Sequence, residues 1–249
     1  MPHAIVQTDI APTVDQLKRA FRSLKALTEA DVVKRAIEAC GILLKNLTLA
    51  EAGVLQRALQ AEGVATEIVE MDELPKLTEG RFVRRMEIQP ESLLIYDPLG
   101  RPLPLPWQHL ALVSAGEVRH FEMSASRTEQ TVRTFNPISG FRTKVVEEVR
   151  HKVDNAGQLI LEIFLTGGAM RIQSDAASLM FKYCFDRPDL AQPQKLALLI
   201  EMLNQHAPHA RLNRGATALL EARPEHAAYA SKAALFDESI WWMWRLSRT

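Results

Sequence analysis

The chain has 249 residues, with 30 Lys plus Arg against 30 Asp plus Glu, so its formal net charge is zero. Hydrophobic residues make up 47 % and charged residues 24 %, enough apolar content to exclude a largely disordered chain. The absence of a basic excess argues against a general binder of nucleic acid or anionic membrane. No apolar run approaches 18 residues, so no membrane span is expected. Met1-Pro2-His3-Ala4 lacks the basic-then-apolar pattern of a secretory leader, and a cytoplasmic location is the expectation. Cys40 and Cys184 both sit in apolar surroundings, which predicts two buried free thiols rather than a disulfide.

In chain order, Ala4 to Thr8 reads as a strand. Thr13 and Gln16 stand three apart as a capping box, and Val14, Leu17, Phe21 and Leu24 follow at helical spacing. Thr28 to Asp31 repeats the start signal, with a stripe of Val32, Val33, Ala36, Ile37 and Cys40, and Gly41 is placed to end that helix. Ile42 to Asn46 is a short strand. Thr48 to Glu51 is a third capping signature for a helix that carries Leu55 and Leu59 and stops at Gly63. Gly53 inside it costs roughly 1 kcal/mol relative to Ala, which close packing against a sheet would explain. Val64 to Glu70 closes the unit as a strand. The order is β-α-α-β-α-β, a small α/β sandwich over residues 1–75.

Residues 3–70 resemble the C-terminal domain of the bacterial ribosomal stalk protein. The likeness runs through Cys40-Gly41-Ile42-Leu43-Leu44-Lys45-Asn46-Leu47-Thr48-Leu49-Ala50-Glu51-Ala52, then Leu55, Leu59, Glu62-Gly63 and Val64 to Val69. The family's factor-binding segment falls near Lys25 to Lys34, where this chain reads Lys25-Ala26-Leu27-Thr28-Glu29-Ala30-Asp31 without the family's Gly. The adaptor of the bacterial Clp protease has a similar sandwich. Both relatives act by binding protein partners, so the resemblance implies an interaction module.

Residues 76–91 read as a linker punctuated by Gly80 and Pro90, with a basic cluster at Arg81, Arg84 and Arg85. From residue 92 the period becomes that of strands. Leu93 to Asp97 is followed by the turn Pro98-Leu99-Gly100-Arg101. The alternating prolines of Pro102 to Pro106 restrict that segment to an edge strand or a polyproline-like stretch. Leu110 to Val113 is a strand, and Ser124 to Gly140 reads as a polar loop. Residues 141–153 fit a strand or a helix. The β-branched content and the hairpin turn Asp154-Asn155-Ala156-Gly157 favour the strand. Gln158 to Thr166 is an apolar strand, turned by Gly167-Gly168 into Ala169 to Gln173. Pro193 opens a helix that buries Leu196, Leu199, Ile200 and Leu203. The strand-turn-Gly pattern of Leu93 to Gly100 and the Leu105-Pro106-Trp107-Gln108-His109-Leu110 element resemble bacterial pleckstrin-homology-like domains. That resemblance implies a β-barrel capped by a C-terminal helix over residues 92–214. An open antiparallel sheet with a helix is the alternative. Residues 215–249 form a helical, Trp-rich tail, and the fold class as a whole is α+β.

No nucleophile elbow, phosphate-binding Gly loop, dinucleotide fingerprint, zinc-protease helix or metal-spaced Cys pair is present in the sequence. His206 and His209 are separated by Pro208, which breaks the helix a shared metal would need. Asp186-Arg187-Pro188-Asp189 reads as a loop closed by an ion pair. Three of the four tryptophans are Trp241, Trp242 and Trp244. Tryptophans so clustered anchor a partner, or else fold the tail back as a strap, and the strap is favoured. The sequence therefore points to a non-catalytic interaction or adaptor protein with no cofactor. A protein partner or self-association is expected, with contacts at Trp107 on the proline-rich edge and at the terminal tryptophans. The alternative is a small-ligand protein or enzyme with a site at the domain junction, lined by Arg81, Arg101 and His109. Residues 1–75 hold 8 basic and 11 acidic side chains and the rest 22 and 19, so neutrality is the sum of two oppositely charged parts.

Overall fold

The computed structural model describes residues 1–9, 11–119, 122–136, 140–154 and 157–248, with side chains for 1–9, 11–118 and 157–248. It is a mixed α+β structure. The first part follows the order read from the sequence: β1 (His3–Gln7), α1 (Val14–Phe21), α2 (Glu29–Glu38), β2 (Ile42–Leu47), α3 (Leu49–Ala61) and β3 (Thr66–Glu70). Thr13, Thr28 and Thr48 each form a complete capping box, with Gln16, Asp31 and Glu51 returning the bond. β1 lies between β2 and β3 and is antiparallel to both. Ile5 faces the core formed with Leu17, Phe21, Val32, Leu55 and Leu59 of the three helices.

Some apolar stripes are narrower than their spacing suggests. Val14, Val33 and Ile37 are exposed, while Leu17, Val32 and Ala36 are buried, because one column of each short helix faces the core. Nothing lies within 4 Å of where a Cβ on Gly53 would stand, so close packing does not explain that glycine. Gly41 does not cap α2, which ends at Glu38. It turns the chain into β2 at φ +69°, and a Cβ there would stand 2.7 Å from the Cβ of Trp241. The left-handed conformation and the approaching ring both require glycine.

The stretch expected as a linker carries two strands, β4 (Gly80–Phe82) and β5 (Met86–Ile88). β5, β6 (Ser92–Tyr96) and β7 (Pro102–Pro106) form an antiparallel meander with β7 at its edge. Of the five residues in β7, only Leu103 and Leu105 carry an N–H, so the prolines keep it an edge strand. β8 (Leu110–Arg119), β11 (Gly157–Leu165) and β12 (Arg171–Asp175) make the centre of a six-stranded sheet. β4 extends it in parallel beside β12, and the short β13 (Arg211–Leu212) and β14 (Ala228–Tyr229) pair in parallel with β8.

None of these sheets closes into a barrel, which corrects the pleckstrin-homology-like barrel expected for residues 92–214. The strands are instead divided between an open mixed sheet and a separate meander. The turn Gly167-Gly168 joins β11 to β12 as read from the sequence. β9 (Glu122–Asn136) and β10 (Gly140–Asp154) pair antiparallel from Asn136↔Gly140 to Glu122↔Asp154, as a compact unit of their own. Of the stretch Ser124 to Gly140, expected as a loop, residues 124–136 are thus strand, and residues 137–139 lie outside the described residues. The turn expected at Asp154 to Gly157 includes residues 155–156, which lie outside the described residues.

α4 (Gln192–His206) buries Leu196, Leu199, Ile200 and Leu203 as predicted, in a core with α5 (Arg214–Leu220), the meander and one face of the large sheet. The other face of that sheet meets α6 (Lys232–Leu246) through Leu112, Phe164 and Met243, and through Val118, Ile160 and Leu235. The opposite side of α6 packs on Ala4 and Val6 of β1, Ile42 of β2 and Val69 of β3. The layers therefore run helices, three-stranded sheet, α6, six-stranded sheet, helices.

Replacing Gly53 with Ala should stabilise the protein by about 1 kcal/mol, since the Cβ meets open space within a helix. A melt of G53A showing loss of stability would contradict this reading.

Candidate functional site

The residues singled out from the sequence do not converge. Arg101 is exposed and closes the β6–β7 turn on Asp97 at 2.7 Å. Trp107 is buried, donates its indole N–H to Gln89 O at 3.0 Å, and stacks on His206 with ring centroids 4.7 Å apart. It pins the meander to the end of α4. His109 is exposed, and its carbonyl accepts from the Thr166 hydroxyl. Arg187 pairs with Asp189, closing the loop foreseen there. Among the described residues no three His, Cys, Asp or Glu side chains are arranged to hold a metal, and no helix is long and apolar enough to cross a membrane.

The tail tryptophans are spent inside the molecule. Trp241 and Trp244 are each 5 % exposed and pack on the three-stranded sheet. Trp241 donates to Gln7 O at 2.7 Å. Trp242 is half-buried and touches apolar groups on both sides of α6. Arg245 lies 5.0 Å from the Trp241 ring centre, and Arg248 lies 4.6 Å from that of Trp244 while pairing with Glu67. The expected partner contacts at Trp241 and Trp244 are therefore replaced by the strap.

Sequence reading missed a buried polar cluster where α5, β14 and α6 meet. Asn213 caps α5, its carbonyl oxygen accepting from Ala216 N at 2.8 Å and Ala115 N at 3.0 Å. Its amide donates to Ser114 Oγ and to the Tyr229 hydroxyl, each at 2.9 Å. Tyr229 donates in turn to Glu238, which also accepts from Arg214 N at 2.7 Å. A Cβ on Gly116 would collide with the Tyr229 ring, and one on Gly215 with Ala115 O. Burial, followed by the charge of Glu238, raises the Tyr229 hydroxyl and the Cys40 thiol well above their ordinary pKa. Burial likewise pushes Cys184 up to about 12. Both thiols are free and protonated at neutral pH, so neither is an activated nucleophile. Every polar atom of the cluster is matched within the fold, and its role is to fix α5 and α6 on β8.

Glu162 is different. It is fully buried beneath α6, and neither carboxylate oxygen has a hydrogen-bond partner. The nearest Arg171 nitrogen is 3.7 Å away, too far for a hydrogen bond. Burial raises its pKa to about 7, opposed by the charges of Arg171 and Lys232.

The surface feature that remains is built from the β4–β5 connection and the short helical turn Phe181–Tyr183. Val83 and Met86 point into the core, which leaves Arg81, Phe82 and Arg84 outside. Met180 N donates to Arg84 O at 2.8 Å, tying the two segments together. Phe82 and Met180 are each 44 % exposed and Tyr183 is 37 % exposed. Arg85 lies between the rings of Tyr96 (3.9 Å) and Tyr183 (4.2 Å) and binds Glu87. That hydrogen bond holds the Glu87 carboxyl below its usual pKa. Arg84 lies 5.8 Å from the Phe82 ring centre, and Lys182 lies 5.1 Å from that of Tyr183. Among the described residues, Arg81, Arg84 and Lys182 have no acidic partner. The arginine cluster was visible in the sequence. Its pairing with Met180, Lys182 and Tyr183, on a segment remote in the sequence, was not.

No protein-family model, curated protein or solved structure matches the chain. The basic–aromatic surface presents free cations beside exposed rings, whereas the polar cluster is closed to solvent.

Trp241→Ala should cost about 3–5 kcal/mol, because it removes a buried ring and strands the Gln7 carbonyl. A melting temperature unchanged by that substitution would mean that the tail is not a structural strap. For Glu162, the raised pKa means the fold favours the protonated carboxyl. Its burial therefore costs little near pH 4, and the cost grows as pH rises from 4.5 toward 7. Glu162→Gln should stabilise the protein by about 3 kcal/mol at pH 8 and by little near pH 4. Denaturation curves at the two pH values compare these outcomes, and equal effects at both would refute the assignment.

Proposed function

We propose that this is a non-catalytic interaction protein of adaptor type, which docks an acidic segment of a protein partner on the surface formed by Arg81, Phe82, Arg84, Arg85, Lys182 and Tyr183. The observation that carries this reading is that Arg81, Arg84 and Lys182, which have no acidic partner among the described residues, are interleaved with exposed Phe82, Met180 and Tyr183. Cations without internal partners complement carboxylates, and exposed rings supply the apolar anchors that interfaces concentrate. β4 ends the order of the six-stranded sheet with β12 as its neighbour. An extended segment can therefore align beside it and lay acidic side chains on Arg81 and Arg84. The resemblance of residues 3–70 to partner-binding modules supports the same reading, and no cofactor is required.

The test is fluorescence anisotropy with an Asp/Glu-rich peptide carrying one aromatic residue, at low and high salt. Binding should weaken with salt. The R81E/R84E double variant should lose at least about tenfold in affinity with its melting temperature unchanged, since both side chains are exposed. Unaltered binding by that variant would overturn the proposal, as would tighter binding of a single-stranded oligonucleotide than of the peptide.

A further inference from the structure

β9 and β10 are 15 residues each and pair along their whole length, a ribbon about 50 Å long at roughly 3.4 Å per residue. Among the described residues they pair with no other strand. A two-stranded ribbon is marginal in water unless a further layer covers it. The register pairs form rows, and successive rows take opposite faces of the ribbon. One face carries Met123, Phe135, Phe141, Val145, Val149 and Val153. The other face is polar, with Val132 and Val146 its large apolar residues.

Charge is distributed as unevenly as apolar area. The half of the ribbon made by residues 130–136 and 140–146 holds Arg133, Arg142 and Lys144 and no Asp or Glu. The half made by residues 122–129 and 147–154 holds five acidic residues against three basic ones. On the apolar face, Glu129 stands opposite Glu147, and like charges so paired destabilise a sheet. Arg127, in the neighbouring row of that face, offsets one of the two.

We propose that a second copy of this chain covers the apolar face, ribbon on ribbon and antiparallel, about a two-fold axis at the Thr131–Val145 row. That register sets the Glu129–Glu147 row of each copy against the Arg133–Thr143 row of the other. It also sets the Arg127–Val149 row against the Phe135–Phe141 row. The glutamate pair thereby gains a second cation, and the apolar residues gain a cover. The antiparallel direction lays the basic half of one ribbon over the acidic half of the other, whereas a parallel one would oppose like charges. The overlap spans residues 126–136 of β9, roughly 35 Å. That is small for a permanent dimer, so association belongs in the micromolar range. None of these residues belongs to the Arg81–Tyr183 surface, and the failure of either reading leaves the other standing.

The experiment is sedimentation velocity of the full chain across the micromolar range. The chain should pass from monomer to dimer as concentration rises. Phe135→Ser with Phe141→Ser should weaken association at least about tenfold. Arg133→Glu alone and Glu129→Arg alone should each weaken it, because each leaves like charges facing across the axis. An equimolar mixture of those two variants should associate more tightly than either by itself, since every facing pair is again of opposite sign. A change of fold in one variant could not produce that rescue, and thermal melts should be the same for all four proteins. A chain that stays monomeric, association unaffected by the serine pair, or a mixture no tighter than its components would overturn the proposal.

Discussion

The structure depends on one helix buried on two sides. α6 lies between the three-stranded sheet and the six-stranded sheet, and each sheet presents apolar groups that this helix covers. Ala4 and Val6 on β1 are fully buried because Trp241 and Trp244 lie over them. Leu112 and Phe164 are buried because Met243 lies on the other side. A strand with one face against helices and the other against solvent would alternate apolar and polar residues. The run Ala4-Ile5-Val6 in β1 does not alternate, and the reason is at the opposite end of the chain.

That arrangement is fixed by polar as well as apolar contacts. The indole N–H of Trp241 reaches Gln7 O, the Lys45–Asp237 pair joins β2 to α6, and the Asn213–Tyr229–Glu238 chain joins α5 and β14 to it. Directional bonds of this kind set the rotation and register of a helix that apolar packing alone would leave loosely specified. Gly41 and Gly116 let the rings of Trp241 and Tyr229 come against the backbone. Glu162 is the one carboxylate under α6 that lacks such partners among the described residues. Burial raises its pKa to about 7, which places a proton-binding group beneath the strap.

Because the tryptophans serve the interior, recognition is left to other parts of the surface. The basic–aromatic patch lies on the far edge of the large sheet, where β4 ends the order of strands. There Arg81, Arg84 and Lys182 have no acidic partner among the described residues, which distinguishes the patch from the closed polar cluster at Tyr229.

The first 70 residues were legible because their signals are local. Each Thr capping box bonds within four residues, and Leu17, Leu55 and Leu59 are buried at the spacing that marks them. The same holds for Pro193 at the start of α4 and for the proline-limited edge strand β7. What was not legible was pairing over long separations. A strand pattern from residue 92 onward is compatible with a closed barrel or with an open sheet, since alternation specifies a face but not a neighbour. The strands β4, β13 and β14 are two or three residues long and owe their form to the β12 and β8 edges they join. Likewise, the sequence determined that Trp241, Trp242 and Trp244 must be covered. Only the tertiary structure decided that the cover is the sheet built from residues 3–70, because burial of an apolar ring is non-directional and any complementary surface would satisfy it.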